Sequence, residues 1–126
     1  MRYSVGVVAA FEAAHRLHGD FGPATRTHGH TYGLEVAVAG DALGEDGTLC
    51  DVAALQAAVE GVRAELHYRD LDEVEGLAER NTTMETVAAH VFERLRPEVR
   101  RLGVARLTVR VSESPAAYAA CEGAVD

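Results

Sequence analysis

The sequence predicts an α+β fold, a four-stranded antiparallel sheet with two helices on one face, in the order β-β-α-α-β-β. Three observations lead there: two-residue alternation near the N-terminus, the same alternation near the C-terminus, and two stretches of helical period gathered between them. A parallel sheet would need strands and helices to alternate, and this order does not supply that. With 126 residues, 48% of them hydrophobic and 25% charged, the chain suits one globular domain over residues 1–126.

The first strand is expected from Tyr3 to Phe11, where Val5, Val7, Ala9 and Phe11 take the odd positions. A Gly/Pro loop, GDFGPATRT, separates it from a second strand over His28 to Ala39. Tyr32, Leu34, Val36 and Val38 mark one face of that strand, and Gly33, Glu35 and Ala37 the other. The two strands should pair antiparallel. After the turn cluster GDALGEDG, Asp51 is placed to cap a helix in which Val52, Leu55, Val59, Val62 and Leu66 recur at helical spacing. HYRDLDEVEGLAER has no clear period and reads as a connecting loop. Thr82 and Glu85 have capping-box spacing and open a second helix, METVAAHVFERL, which Pro97 and Gly103 should end. Leu107, Val109 and Val111 alternate in a third strand stopped by Pro115, and Ala117 to Cys121 make a short fourth. So small a sheet has two open edges, which predicts edge-to-edge association of subunits.

A net charge of -8 argues against nucleic-acid and anionic-membrane partners, because neither polyanion is attracted to such a surface. No run approaches the ~18–20 apolar residues of a membrane span, and MRYSVGVVAAFEAAH lacks the features of a signal peptide, so a cytoplasmic protein is expected. Cys50 and Cys121 form no metal or redox spacing and are read as small buried apolar side chains.

The residues that carry chemistry are histidines. Residues i and i+2 of a strand project from one face, so His28 and His30 stand ~6–7 Å apart, workable for two ligands of one ion. His15, close after the first strand, would be brought beside them by antiparallel pairing. Three neutral imidazoles with an open position are the coordination of a catalytic zinc. The competing reading is that H-x-H is a pair of polar strand-end residues. His18 is a loop histidine with the alternative of a fourth ligand, and His90 is a helix-face residue without a partner histidine one turn away.

The strings FEAAHRLHGD and THGHTYGLEVAVAG resemble the zinc motif of the 6-pyruvoyl-tetrahydropterin synthase and 6-carboxytetrahydropterin synthase family, roughly A-A-H-R-L…H-G-H-x-Y. GTLCDVAAL is similar to the family's G-x-v-x-D-F-x-x-L, and LHYRDLDEVEGL to its L-D-H-x-x-L-N-x-x-x-G-L. NTTMET resembles its N-P-T-x-E-N, and VSES…Y its V-x-E-T…Y. The resemblance covers nearly the whole chain. It implies zinc on His15, His28 and His30, the tunnelling fold, and edge-to-edge assembly into hexamers built as pairs of trimers, with active sites between subunits. It further implies a pterin-like substrate of the dihydroneopterin triphosphate type, anchored by Glu113, whose carboxylate can accept two hydrogen bonds from a 2-amino-4-oxo pyrimidine edge.

The chain departs from the pattern at the chemistry. The family's proton-abstracting cysteine, four residues before H-G-H, is Ala24 here, and its Asp-His pair is His67 and Tyr68. Alanine cannot supply the base that abstraction of a carbon-bound proton requires. Three readings follow. His67, with Tyr68, runs a different acid–base reaction on a pterin or related heterocycle; the protein binds such a ligand, or a purine-like one, without turnover; or a base comes from Cys50, Cys121, His18 or Asp20.

Overall fold

The computed structural model describes residues 1–126. β1 (Tyr3–His15) and β2 (His28–Gly40) run antiparallel over their whole length, from Tyr3 opposite Gly40 to His15 opposite His28. β1 thus extends four residues past Phe11, and His15 is its last residue rather than a neighbour of it. The loop between them contains a 3-10 turn, Gly22–Thr25, and folds back so that the Leu17 N–H donates to the Ala24 carbonyl at 2.9 Å.

α1 (Val52–Leu66) starts at Asp51, whose side chain accepts from the Ala54 N–H at 3.2 Å. Leu55, Val59, Val62 and Leu66 are buried as their spacing predicts, while Val52, in the first turn, remains 39% exposed. The segment read as a loop holds a further strand, β3 (Arg69–Asp70), which pairs parallel with Ala13 and Ala14 of β1. The sheet therefore has five strands in the order β3-β1-β2-β4-β5, and one of its pairings is parallel. Two residues are too few to show a period, so the sequence carries no signal for β3.

α2 (Met84–Arg101) is capped by Thr83, which accepts from the Thr86 N–H at 3.2 Å, and not by Thr82. Pro97 lies inside α2 instead of ending it. An interior proline costs about 3 kcal/mol through the lost N–H and its clash with the preceding turn. Leu95 and Val99, both fully buried, flank it, and burying each contributes about 1.5–3 kcal/mol. Breaking the helix at Pro97 would withdraw Val99 from the core, so tertiary packing outweighs the local penalty.

β4 (Arg106–Ser114) pairs with β2 and with β5 (Ala117–Ala124), with a register irregularity between Ser112 and Ser114. Phe11, Tyr32, Leu34, Val36, Val38, Leu107, Val109 and Val111 form the buried face of the sheet against both helices. The opposite face is polar or small, with Glu35 and Arg110 paired at 3.0 Å and Val8 76% exposed. No helix is long and apolar enough to cross a membrane. Cys50 and Cys121 are both free, and burial raises both thiols above their ordinary values, which removes them as ready thiolates.

Candidate metal centre and ligand site

Because β1 and β2 pair through their ends, His15 lies directly across from His28, and His30 lies across from Ala13 on the same face. The ring centroids stand 4.6 Å apart for His15 and His28, 5.1 Å for His15 and His30, and 4.8 Å for His28 and His30. One nitrogen from each ring falls within 4.8 Å of the other two, a cluster that could hold a metal ion. His18, 3.9 Å from an Asp72 carboxylate oxygen, is not part of it.

The other ring nitrogens decide which atoms face inward. His15 Nδ1 lies 2.8 Å from the Thr82 carbonyl, and His28 Nδ1 lies 2.7 Å from the Arg26 carbonyl. Only a protonated Nδ1 can donate to a carbonyl, so in the neutral form of either ring Nε2 is the bare lone pair that can ligate. His15, 1% exposed, has its Nε2 buried with no protein partner, and His30 Nε2 is buried and unpartnered too. Buried polar atoms without partners are costly, so two of them in one cluster mark a place for an ion. Burial lowers the His30 pKa, outweighing the Glu113 carboxylate that raises it, and keeps the imidazole neutral. The donor set of three neutral imidazoles suits a borderline divalent cation such as zinc.

Glu113 reaches this cluster from β4, with Oε2 3.8 Å from His30 Nε2. It is half-buried, so it is not the solvated strand-end charge that its sequence position alone suggests. Tyr32 packs beneath the rings, 5.3 Å from His30 and 5.9 Å from His15 between centroids. Its hydroxyl is buried without a partner, and burial together with the Glu113 and Asp72 charges raises its pKa, so it stays a neutral phenol.

The second group lies at the β3 edge. A cavity of about 540 Å³ is lined by His30 and Tyr68 together with Glu12, Thr31, Arg69 and Asp70 among others. Tyr68 therefore shares a cavity with one ligand of the cluster, whereas His67 and Glu113 do not line it. His67 follows α1 and accepts, through Nδ1, the Glu12 backbone N–H at 3.1 Å. A neutral imidazole with Nδ1 occupied as acceptor carries its proton on Nε2. Tyr68 donates its N–H to the Glu12 carbonyl at 2.7 Å, is 80% exposed, and adopts φ 60, a left-handed conformation rare for a residue with a large side chain. The two rings lie 3.8 Å apart between centroids.

Ala24 sits in the 3-10 turn, where it presents only a methyl group. His90 is buried on α2 at a separate, larger cavity of about 720 Å³, away from the triad. The sequence reading missed Glu12, which lines the Tyr68 cavity and accepts from the Thr31 hydroxyl at 2.8 Å. Thr82 and Asp72 escape it as well, since Thr82 reads as a helix cap by its spacing to Glu85. A second threonine at position 83, able to do the capping, was the available signal.

Comparison with known proteins agrees with this fold. The 6-pyruvoyl tetrahydropterin synthase family matches residues 4–124. The chain is 35% identical over 88 residues, 70% of each chain, to dihydroneopterin monophosphate aldolase of Pyrococcus furiosus. Its fold matches 6-pyruvoyl tetrahydropterin synthase of Caenorhabditis elegans with a TM-score of 0.85 and 27% identity, over 98% of this chain and 96% of that one. The Plasmodium vivax 6-pyruvoyl tetrahydropterin synthase gives a TM-score of 0.80 at 19% identity, over 98% and 99% of the two chains, a likeness of fold. With the match running through nearly every residue and the histidine cluster in place, the chain belongs to the 6-pyruvoyl tetrahydropterin synthase family.

Proposed function

We propose that this protein is a zinc-dependent enzyme that cleaves the side chain of a phosphorylated dihydropterin by an aldolase reaction. What carries the reading is the inward convergence of His15, His28 and His30 beside Glu113, combined with the absence of an ionisable group at Ala24. The first feature supports a metal and a ring anchor; the second argues against the proton abstraction of an ordinary synthase. The Pyrococcus relative, whose name specifies an aldolase acting on dihydroneopterin monophosphate, supplies the alternative chemistry.

In this reading Glu113 accepts hydrogen bonds from the amino and ring N–H groups of the pterin. Zinc, when bound by the three imidazoles, polarises the side-chain oxygens. Tyr68, lining the cavity it shares with His30, acts as its phenolate: it takes the proton of the side-chain hydroxyl next to the bond that breaks and holds it for return to carbon. That oxygen becomes an aldehyde as the carbon–carbon bond opens, and the bonding pair passes into the dihydropterin ring system. A proton returned to the carbon attached to the ring completes a hydroxymethyl product, and the departing piece is a two-carbon hydroxyaldehyde phosphate. His67, with its proton on Nε2, donates a hydrogen bond to Tyr68 or to the substrate oxygen and so favours the charge that forms there.

The open edges of β5 and of most of β1 support edge-to-edge assembly, with a hexamer built as a pair of trimers as the proposed form, and a cytoplasmic location is proposed with it. The second reading, a non-catalytic pterin-binding or purine-binding module, is favoured by one observation: Tyr68 is 80% exposed in the single chain and nothing within it closes the cavity over a substrate. Incubating the protein with dihydroneopterin monophosphate and triphosphate separates the readings. The aldolase reading expects a hydroxymethyl dihydropterin and an aldehyde phosphate, both abolished by chelation; inorganic triphosphate release would refute it, and binding without product would favour the module.

A further inference from the structure

We infer that Asp72 is a positioning residue for the metal centre, acting through Thr82 on His15. The inference rests on the reading that the three imidazoles hold a divalent ion. The Asp72 carboxylate bridges two segments remote from each other in sequence. Its Oδ2 accepts from the Arg16 N–H at 2.8 Å, and its Oδ1 accepts from the Thr82 hydroxyl at 3.3 Å. The fully buried Thr82 then turns its carbonyl to His15 Nδ1 at 2.8 Å. Asn81 completes the clamp, its amide accepting from the His18 N–H at 2.8 Å and donating to the His18 carbonyl at 3.0 Å.

The three ligands differ in how their rings are held. His28 is oriented locally, by a carbonyl two residues before it. His30 faces Glu113 and has no backbone acceptor in that direction. His15 depends on a segment 67 positions away in the chain, which stays beside it because Asp72 holds both Arg16 and Thr82. The Thr82 hydroxyl also lies 3.3 Å from the Arg16 carbonyl, but one proton serves one acceptor best, and the charged oxygen is the stronger. A carboxylate can accept from both donors at once. Without it the segment is held beside β1 only by Asn81 and by the weaker Thr82–Arg16 contact, the Thr82 carbonyl is less firmly fixed against His15 Nδ1, and the share of rings presenting a bare Nε2 falls.

Competition with a chromophoric chelator measures zinc affinity in the full-length parent, Asp72→Leu, Asp72→Asn and Thr82→Val, with thermal unfolding of each metal-free form alongside. Loss of an outer-shell partner of this kind typically weakens metal binding about 10–100-fold, and that range is expected for Asp72→Leu. Asp72→Asn should restore most of the affinity, because its oxygen still accepts from Arg16 and its amide can donate to the Thr82 hydroxyl. Thr82→Val, which keeps the carbonyl and removes the hydroxyl bridge, should fall between. In metal-free protein, imidazole nitrogen NMR should show His15 held with its proton on Nδ1 in the parent and mixed between tautomers in Asp72→Leu. Zinc binding by Asp72→Leu within about twofold of the parent, or equal losses in the Leu and Asn variants, would overturn the assignment. The Thr82 hydroxyl itself lies 3.4 Å from His15 Nδ1, so if Asp72→Leu does not fold, Asp72→Ala decides: a loss of about threefold or more supports the bridge, and parent-like affinity overturns it. A parent that binds neither zinc nor cobalt would show instead that the metal reading itself had failed.

Discussion

The metal corner and the His67–Tyr68 corner sit at the same end of the molecule and are built on opposite terms. At the first, His15 is 1% exposed, two of the three rings have Nδ1 fixed by backbone carbonyls, and the Nε2 atoms of His15 and His30 are buried. At the second, Tyr68 is 80% exposed, its backbone is left-handed, and the corner is tied to β1 through hydrogen bonds at Glu12 and the two-residue pairing of β3. Changing a histidine of the cluster disturbs the core around it, whereas changing Tyr68 leaves the packed core alone and changing His67 costs one hydrogen bond to the Glu12 N–H. On the proposed function, such a division lets a chain keep three histidines that could hold a metal while residues 24, 67 and 68 vary.

The sharpest way to break the contrast is at the ligands. His28→Ala removes one of three donors, and the affinity for zinc should fall by more than the roughly 100-fold seen when only an outer partner is lost. Metal analysis finding equal zinc in variant and parent would remove the assignment. Zinc saturation should also raise unfolding stability, by about 4 kcal/mol at free metal a thousandfold above Kd, and chelation should reverse it. A calorimetric scan indifferent to chelator would contradict a site tied into the core.

At the other corner the expected signature is inverted. His67→Ala should lower turnover of a dihydroneopterin phosphate by about 10²-fold while leaving zinc content unchanged. Unaltered turnover would dismiss His67.

A smaller effect concerns pH. Burial lowers the pKa of both His30 and His90 below the ordinary 6.5, so the unfolded chain takes up protons before the folded one does. In metal-free protein the stability they allow is full above about pH 6.5 and falls as pH drops through that value, becoming level only below the folded pKa values. Thermal unfolding between pH 5 and 8 should show this, and His90→Gln should flatten the curve; an unchanged slope would separate His90 from it.

The smallest effect compares two left-handed residues. Gly76, at φ +92, lies where an added Cβ would come 3.1 Å from His90 Nδ1, so Gly76→Ala should cost about 1 kcal/mol or more. Tyr68→Gly relieves about 1–2 kcal/mol of backbone strain against the larger entropy of an unfolded glycine, and should leave stability within about 1 kcal/mol while activity falls. A large loss of stability in Tyr68→Gly would show that the exposed corner supports the fold after all.

Periodicity made most of this protein legible. Alternation in β1, β2 and β4 and the spacing of Leu55, Val59, Val62 and Leu66 each record a single face turned to the core, and such a record needs no knowledge of the neighbour. His28 and His30 were readable for the same reason, being two positions of one strand face, and His15 followed once antiparallel pairing was assumed. The length of β1 was not, because its last four residues are ordered by pairing with β2 rather than by their own pattern.

Local pattern by itself thus determined the types of the longer elements, their buried faces and the His28–His30 pair, since side-chain period is a property of the chain. Tertiary structure alone decided that β3 pairs parallel with β1, that α2 continues through Pro97, and that Thr82 serves His15 rather than a helix end. It also placed Asp72 between Arg16 and Thr82. Each of these depends on a contact between segments far apart in sequence, where the energy of burial or of a satisfied hydrogen bond exceeds a local preference that points elsewhere.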